Sequence, residues 1–354
     1  MNFSKNGKKL CLDFNSETIR CVVGRNTKKG IIVEKNFELE MPTGLYSDGE
    51  INDMDQLSYL LTTGLQMYGV GQMDTYAVVN SSKIIMREVT FPRVSKEEIE
   101  GIINYQIEEY IPINPEDYVV KYLNIGSRVE DGAEKLLLML IGIPRSTILS
   151  HLTLLKDANL KPEVLDYQGN AIGKLIASGG VINKNYPSQK TIACLEVGRE
   201  STALTIISDG IIRITRVIEE GLAQVYDSVS DKATMSVEDA KRHIAESEDL
   251  NRKGVEDPVE NSVNEAFKES LYALLDKIEM IFRYYKTREV SNEINLILIH
   301  GELSRLNGVE KLFRDFFDID AVVLRNLENI QIDKDLNVYA NAIGGLIRQS
   351  EVKK

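Results

Sequence analysis

One short pattern occurs twice in this chain, and it limits the available folds more than any other feature. Cys11-Leu12-Asp13 ends an apolar run, a polar turn follows at Asn15 to Glu17, and a second apolar run begins. Cys194-Leu195-Glu196 is likewise followed by a polar turn and a second apolar run. A third run then starts in each unit, at Gly30-Ile31-Ile32 and at Gly210-Ile211-Ile212. Short apolar runs bounded by Gly, Asn, Asp and Ser read as strands. Ser208-Asp209-Gly210 puts glycine where a hairpin needs positive φ. Two β-meanders are therefore expected, each with one acidic residue at its first turn, although two unrelated meanders would give the same pattern.

Between these units the reading is strand, helix, strand, strand, helix, strand: Ile84 to Phe91, Ser95 to Ile111, Tyr118 to Ile125, Lys135 to Ile143, Arg145 to Ala158 and Leu160 to Leu165. That order suits a small α+β subdomain. Its first helix has a capping box in Ser95 and Glu98. Ile99, Ile102, Ile103, Ile107, Tyr110 and Ile111 recur at helical spacing, and Pro112 ends the helix. Helices are also expected at Asp53 to Tyr68, Gly169 to Ser178, Gly221 to Val229, Ser236 to Glu246, Val259 to Thr287, Val309 to Phe317 and Val338 to Arg348. Buried strands are expected at Thr75 to Asn80, Asn295 to Ile299 and Ala321 to Leu324. Glu248 to Pro258 reads as a charged loop.

Composition removes several function classes. A net charge of -12 over 354 residues argues against a general nucleic-acid binder, which needs a basic surface. Cys11, Cys21 and Cys194 lie inside apolar runs and read as reduced, buried thiols of a cytoplasmic protein. His151, His243 and His300 are far apart and show no metal-ligand spacing. The start leads into a strand without an apolar signal region, and the longest apolar run, Leu136 to Ile143, is too short to span a bilayer.

Two β-meanders with acidic turns, and a late strand ending in His300-Gly301-Glu302 before a helix, resemble the superfamily of actin, FtsA and DnaK-type ATPases. The segment Met86 to Tyr122, with its Tyr110-Ile111-Pro112 step, resembles the PilM family of type IV pilus assembly. The match continues through Leu138 to Asp166, including Asn159-Leu160-Lys161-Pro162. This resemblance implies an α/β, two-lobed actin-like (ribonuclease-H-like) ATPase fold with an inserted small α+β subdomain, of FtsA type. It places 1–82 and 161–189 in the first lobe, with helix 338–350 returning to it. The inserted subdomain is then 83–160, and the second lobe 190–337 with a helical subdomain at about 222–290.

The resemblance also implies a nucleotide site in the cleft between the lobes. Its first turn maps to Asp13, Asn15 and Ser16, with Arg20 where the family usually has Lys. The second maps to Glu196, Gly198, Arg199, Ser201 and Thr202, and the adenosine turn to Gly301 and Glu302, with Lys277 on the long helix near the base. Asp13 and Glu196 would hold magnesium through water, and Gln168 would orient an attacking water. Asn15 replaces a usual Gly, Glu196 a usual Asp and His300 a usual Gly, and Lys277-Ile278-Glu279-Met280 departs from the usual Glu-Ile-Arg-Arg. These changes predict a weakened ATP and magnesium site, with weak or no ATPase activity.

By the same resemblance the chain is a cytoplasmic scaffold, recruited to the inner face of the cytoplasmic membrane by the tail of PilN. It touches the membrane only indirectly. The tail would lie in a groove between the first lobe and the inserted subdomain, with Phe91, Tyr105, Tyr110 and Ile111 as candidate lining. Other pilus-machine components and self-association are further expected contacts. The alternative is an FtsA-like filament-forming cytoskeletal or cell-division ATPase. The ending Ile347 to Lys354, which lacks an amphipathic anchor, counts against it. A sugar kinase of the same superfamily would need a substrate-side Asp in a Gly-containing context between the units, and none is found.

Overall fold

The computed structural model describes residues 7–130, 132–252, 257–290 and 292–348. Asp131 of the expected hairpin tip, 253–256 of the expected charged loop and the chain end after Arg348 lie outside the described residues.

The first meander is β1 (Lys9–Phe14), β2 (Thr18–Thr27) and β3 (Gly30–Glu40), all antiparallel. Short strands β4 (Tyr46–Ser47) and β5 (Glu50–Ile51) lead to α1 (Met54–Met67), whose N-cap Asp53 accepts from the Gln56 amide. β6 (Asp74–Val79) then pairs parallel to β1. The chain next builds a separate three-stranded sheet from β7 (Ile85–Pro92), β8 (Tyr118–Glu130) and β9 (Ala133–Pro144), with β9 in the middle. Its helix α2 (Lys96–Tyr110) has the reciprocal Ser95–Glu98 capping box, and Ile111 leaves it in extended conformation ahead of Pro112.

Helix α3 (Arg145–Asp157) and β10 (Lys161–Tyr167) follow. The expectation that α3 belongs to the inserted subdomain is corrected here. β10 pairs with β6 of the first sheet, and Leu154, Leu155, Ala158 and Leu160 join the core of Leu10, Leu12, Leu57 and Leu61. Leu154 and Leu155 can bury fully only against the first sheet, so the inserted unit ends at Pro144.

After α4 (Gln168–Gly179) and the short pair β11 (Val181–Ile182) and β12 (Tyr186–Pro187), the second meander forms from β13 (Ile192–Val197), β14 (Thr202–Ser208) and β15 (Ile211–Ile218). Helices α5 (Leu222–Ala233), α6 (Val237–Glu246) and α7 (Pro258–Arg288) cover one face of it. β16 (Leu296–His300) adds parallel to β13 and leads into a 3-10 turn, Glu302–Arg305. α8 (Val309–Phe317), β17 (Ala321–Val323), β18 (Ile330–Gln331) and α9 (Leu336–Gly345) finish the described chain.

The two large sheets run β10-β6-β1-β2-β3-β18 and β15-β14-β13-β16-β17. In each, an antiparallel meander is extended by parallel strands beyond its first strand. Helices α4 and α9 lie between the sheets, where Cys11 and Val78 of one and Cys194 and Leu298 of the other share a core with Ile172, Leu175 and Ile343. Side chains alternate along a strand, so Asp13 and Glu196 share the face of Cys11 and Cys194 two residues earlier. Each is the next-to-last residue of its strand. The repeated pattern thus delivers two carboxylates to one end of the inter-sheet layer.

Candidate functional site

The carboxylates meet at Arg20, which faces Asp13 directly across the β1–β2 hairpin. The Arg20 guanidinium bonds Glu196 of the second sheet, lies 3.8 Å from Asp13 Oδ2, and contacts Glu38 of β3 at 3.4 Å. Arg20, Asp13 and Glu196 are all buried. Asn341 of α9 donates to the other Glu196 oxygen at 2.6 Å. The Gln168 amide, at the first turn of α4, donates to Asp13 Oδ1 and to Asn15 Oδ1, both at 3.1 Å. Asn15 in turn donates to Asp13 Oδ2 at 3.3 Å.

These contacts set the charges. Burial, reinforced by the Glu196 charge, raises the Asp13 carboxyl to about 7 against the opposing pull of Arg20. Burial also acts to raise Glu196, but the Arg20 charge, His300 and the bonds from Arg20 and Asn341 outweigh it, so its carboxyl stays below the ordinary range. Burial lowers His300, the β16 neighbour of Glu196, against the raising effect of that carboxylate.

Above this cluster a cavity of about 300 Å³ opens between the lobes. It brings together the expected Asn15, Ser16, Arg20, Gln168, Glu196, Gly198, Arg199, Ser201 and Glu302. Asp13 lies behind it and reaches it only through its partners. Gly301 takes positive φ, and a Cβ there would stand 2.6 Å from Glu196 Oε1. Its missing side chain therefore makes room for Glu196. Thr202 is buried and donates to the Glu220 carbonyl at 2.8 Å. Lys277 pairs with Glu220 outside the lining of this cavity.

Sequence reading missed Glu17, Glu38, Asp48, Glu200, Glu219 and Arg305, which also line the cavity. Glu38 had a signal, because it faces Arg20 across the β2–β3 pair. Arg199 bonds Glu17 at 2.6 Å, and Arg305 bonds Glu38. All three arginines of the lining thus have carboxylate partners. The second turn is also occupied by its own helix: the Gly198 and Arg199 carbonyls accept from Leu222 and Ala223 at the start of α5.

Magnesium does not fit the two carboxylates as they stand. Each of their oxygens faces Arg20 or a side-chain amide, and no cluster of three acidic, His or Cys side chains suited to a metal occurs among the described residues. The expected metal role of Asp13 and Glu196 is corrected on that ground.

The inserted sheet has two different faces. Along β9, Leu138 and Leu140 point to α2 with Phe91, Ile103 and Ile111, while Met139 and Ile141 point to Tyr167 at the end of β10. Phe91 and Ile111 are fully buried, Tyr110 stacks on Phe91 at 4.7 Å, and Tyr105 is 90% exposed on α2. Strand alternation puts Phe91 on the face away from the first lobe, where Tyr110 and Ile111 pack with it. A separate groove lies between the insertion, α4 and β15, with Met86, Leu123, Ile125, Met139, Gly173 and Ile212 among its lining. A Cβ on Gly173 would stand 2.6 Å from Ile212 Cδ1, so the Ile212 side chain would have to shift.

A family model described as Type IV pilus assembly protein PilM matches residues 11–342. Among solved structures, one described as the PilM-PilN type IV pilus biogenesis complex is similar at a TM-score of 0.77 and 16% identity, over 96% of this chain and 99% of that one. Ethanolamine utilization protein EutJ from Carboxydothermus hydrogenoformans is similar at 0.56 and 11% identity, over 96% and 89%. MreB5 of Spiroplasma citri bound to AMPPNP is similar at 0.50 and 13% identity, over 97% and 95%. The fold is the two-lobed actin-like one.

Proposed function

We propose, from the premise that this chain belongs to the PilM family of type IV pilus assembly proteins, that it is an assembly scaffold holding the cytoplasmic tail of a PilN-like membrane protein. The observation that carries this reading is the groove between the inserted sheet and α4. Met86, Leu123, Ile125, Met139 and Ile212 line it together with the polar Asn124, Asn170 and Lys174, β8 is an edge strand of its sheet, and Leu123 on β8 stays 37% exposed. An extended tail gains backbone pairing from such an edge and register from apolar pockets. The similar structure that contains PilN supports the identity of the partner. No described helix is long and apolar enough to cross a membrane, so the tail would supply the membrane attachment.

A nucleotide in the interlobe cavity is the second part of the proposal, and a weak one by its chemistry. Arg20, Arg199 and Arg305 are the cationic groups of the lining, and a polyphosphate must compete with the carboxylates each already holds. The scaffold role therefore does not depend on hydrolysis. Fluorescence anisotropy of a labelled PilN-type tail peptide, titrated with this protein with and without ATP, tests both parts. Saturable tail binding without ATP is expected. No binding in either condition would refute the scaffold reading.

A further inference from the structure

We infer that Arg20 is the resident cation of this cleft: its guanidinium holds the Asp13 and Glu196 carboxylates together across the two sheets, where the resemblance assigned a magnesium ion. The inference stands on the cleft's own geometry and does not rest on tail binding.

A divalent ion between two facing carboxylates needs free oxygen lone pairs and no competing positive charge. The second condition fails at Arg20, and the first is narrowed because every oxygen of the pair already has a partner. One Glu196 oxygen bonds Arg20 and the other accepts from Asn341. Asp13 is occupied by Gln168 and Asn15 and faces Arg20 at 3.8 Å. Arginine stays protonated throughout the accessible pH range, and its planar fork of donors serves more than one carboxylate at once. A metal beside it would place two cations a few ångström apart, where repulsion in a buried site is severe. Metal and Arg20 are therefore alternatives at this position.

Arg20 is also not the sole tie. Arg199 of the second unit reaches Glu17 on the first turn, and Arg305 of the second unit reaches Glu38 on β3. Arg20 runs the other way, from the first unit to the second. The two lobes are thus closed by ion pairs of both directions, and the closed arrangement requires no divalent ion.

The test is substitution of Arg20 in the full chain, with manganese alone as the probe. Free Mn²⁺ is followed by electron paramagnetic resonance and the thermal midpoint by circular dichroism. The wild type should leave Mn²⁺ free and show no midpoint shift with it. Arg20→Met exposes the carboxylate pair and should bind Mn²⁺ about tenfold or more tightly than the wild type, with a midpoint that rises on addition of the ion. Arg20→Gln removes the charge but keeps a polar side chain, and should gain Mn²⁺ affinity as Arg20→Met does. Stoichiometric Mn²⁺ binding by the wild type, abolished by Glu196→Gln, would overturn the inference. So would a folded Arg20→Met that gains no Mn²⁺ affinity. If Arg20→Met does not fold, the wild type and Arg20→Gln decide: Mn²⁺ binding by the wild type, or none by a folded Arg20→Gln, overturns the inference, and binding by Arg20→Gln alone upholds it.

Discussion

Met139 of the inserted sheet packs on Tyr167, the last residue of the strand that delivers α4 to the cleft. This contact divides the inserted sheet into a face that meets the first lobe and a face that meets α2. It also separates two sets of aromatic and aliphatic residues that look equivalent in sequence. Leu123→Glu puts a charge into the groove on the first side and should weaken tail binding about tenfold or more, roughly 1.4 kcal/mol. Tyr105→Ala, on the exposed side of α2, should leave affinity unchanged. Anisotropy with one labelled peptide compares them. Equal losses from both would place the tail elsewhere.

Phe91 is wholly buried between the inserted sheet and α2 and stacks on Tyr110. Phe91→Ala should cost about 3–5 kcal/mol locally. Phe91 belongs to the core under α2, which is separate from the small Met139–Ile141–Tyr167 cluster that joins the inserted unit to the first lobe. Hydrogen exchange should therefore rise in β7, α2 and β9 before it rises in β1 or β13. Uniform loss of protection across all strands would contradict this division of the core.

Much of this architecture was legible in the sequence, for identifiable reasons. Helix α2 announced itself by Ser95, Glu98 and Pro112, which act within one turn of chain. The repeat of Cys11-Leu12-Asp13 as Cys194-Leu195-Glu196 fixed the matching places of two carboxylates. The cross-cleft partners were not legible, because Arg199–Glu17 and Arg305–Glu38 depend on how two distant units face each other. The same is true of α3. Its apolar stripe shows that it packs, and only the β6–β10 pairing decides which sheet receives it. The side against which Phe91 and Ile111 pack was not legible, because strand and helix periodicity identify a buried face without saying what lies against it.

Helices α4 and α9 cross with almost no space between them: a Cβ on Gly344 would stand 2.0 Å from the Ala171 carbonyl oxygen. Backbone cannot yield as a flexible side chain can. Gly344→Ala should therefore destabilise by about 1–3 kcal/mol or more, despite the gain in helix propensity. Urea denaturation reads the change. A neutral or stabilising result would mean that the two helices separate more easily than their packing between the sheets implies.

His151 on α3 lies edge-on to Phe14, with Nδ1 donating to the Thr147 carbonyl at 2.7 Å and Nε2 accepting from the Tyr46 hydroxyl at 3.1 Å. Burial lowers its pKa to about 4, against the raising effect of the Thr147 carbonyl. The unfolded chain titrates near 6.5. Because the folded value is the lower one, the neutral ring's contribution is present above about pH 6.5 and is lost as pH falls toward 4. Between pH 6.5 and 5 the His151 contribution should fall by up to roughly 1.4 kcal/mol per pH unit, opposed by Asp13, whose raised folded value favours the folded state as pH falls. His151→Gln should remove that fall, so stability in the variant should rise relative to the wild type toward pH 5. An unchanged slope in the variant would assign the acid sensitivity to other groups.

Glu17 and Arg199 join the two turns that would have to receive phosphate, and this pair is partly solvent-exposed, unlike Arg20 and Glu196. Glu17→Gln removes one acidic group from the lining and releases Arg199 without touching the buried cluster. ATP affinity should then rise several-fold in metal-free buffer. The gain should shrink at high salt, since screening acts most on exposed charges. Arg199→Ala removes the freed cation and should cancel the gain in the double variant. Calorimetric titration of the three proteins with ATP and EDTA measures this directly. An affinity unchanged by Glu17→Gln would mean that carboxylate competition at the turns does not limit nucleotide binding.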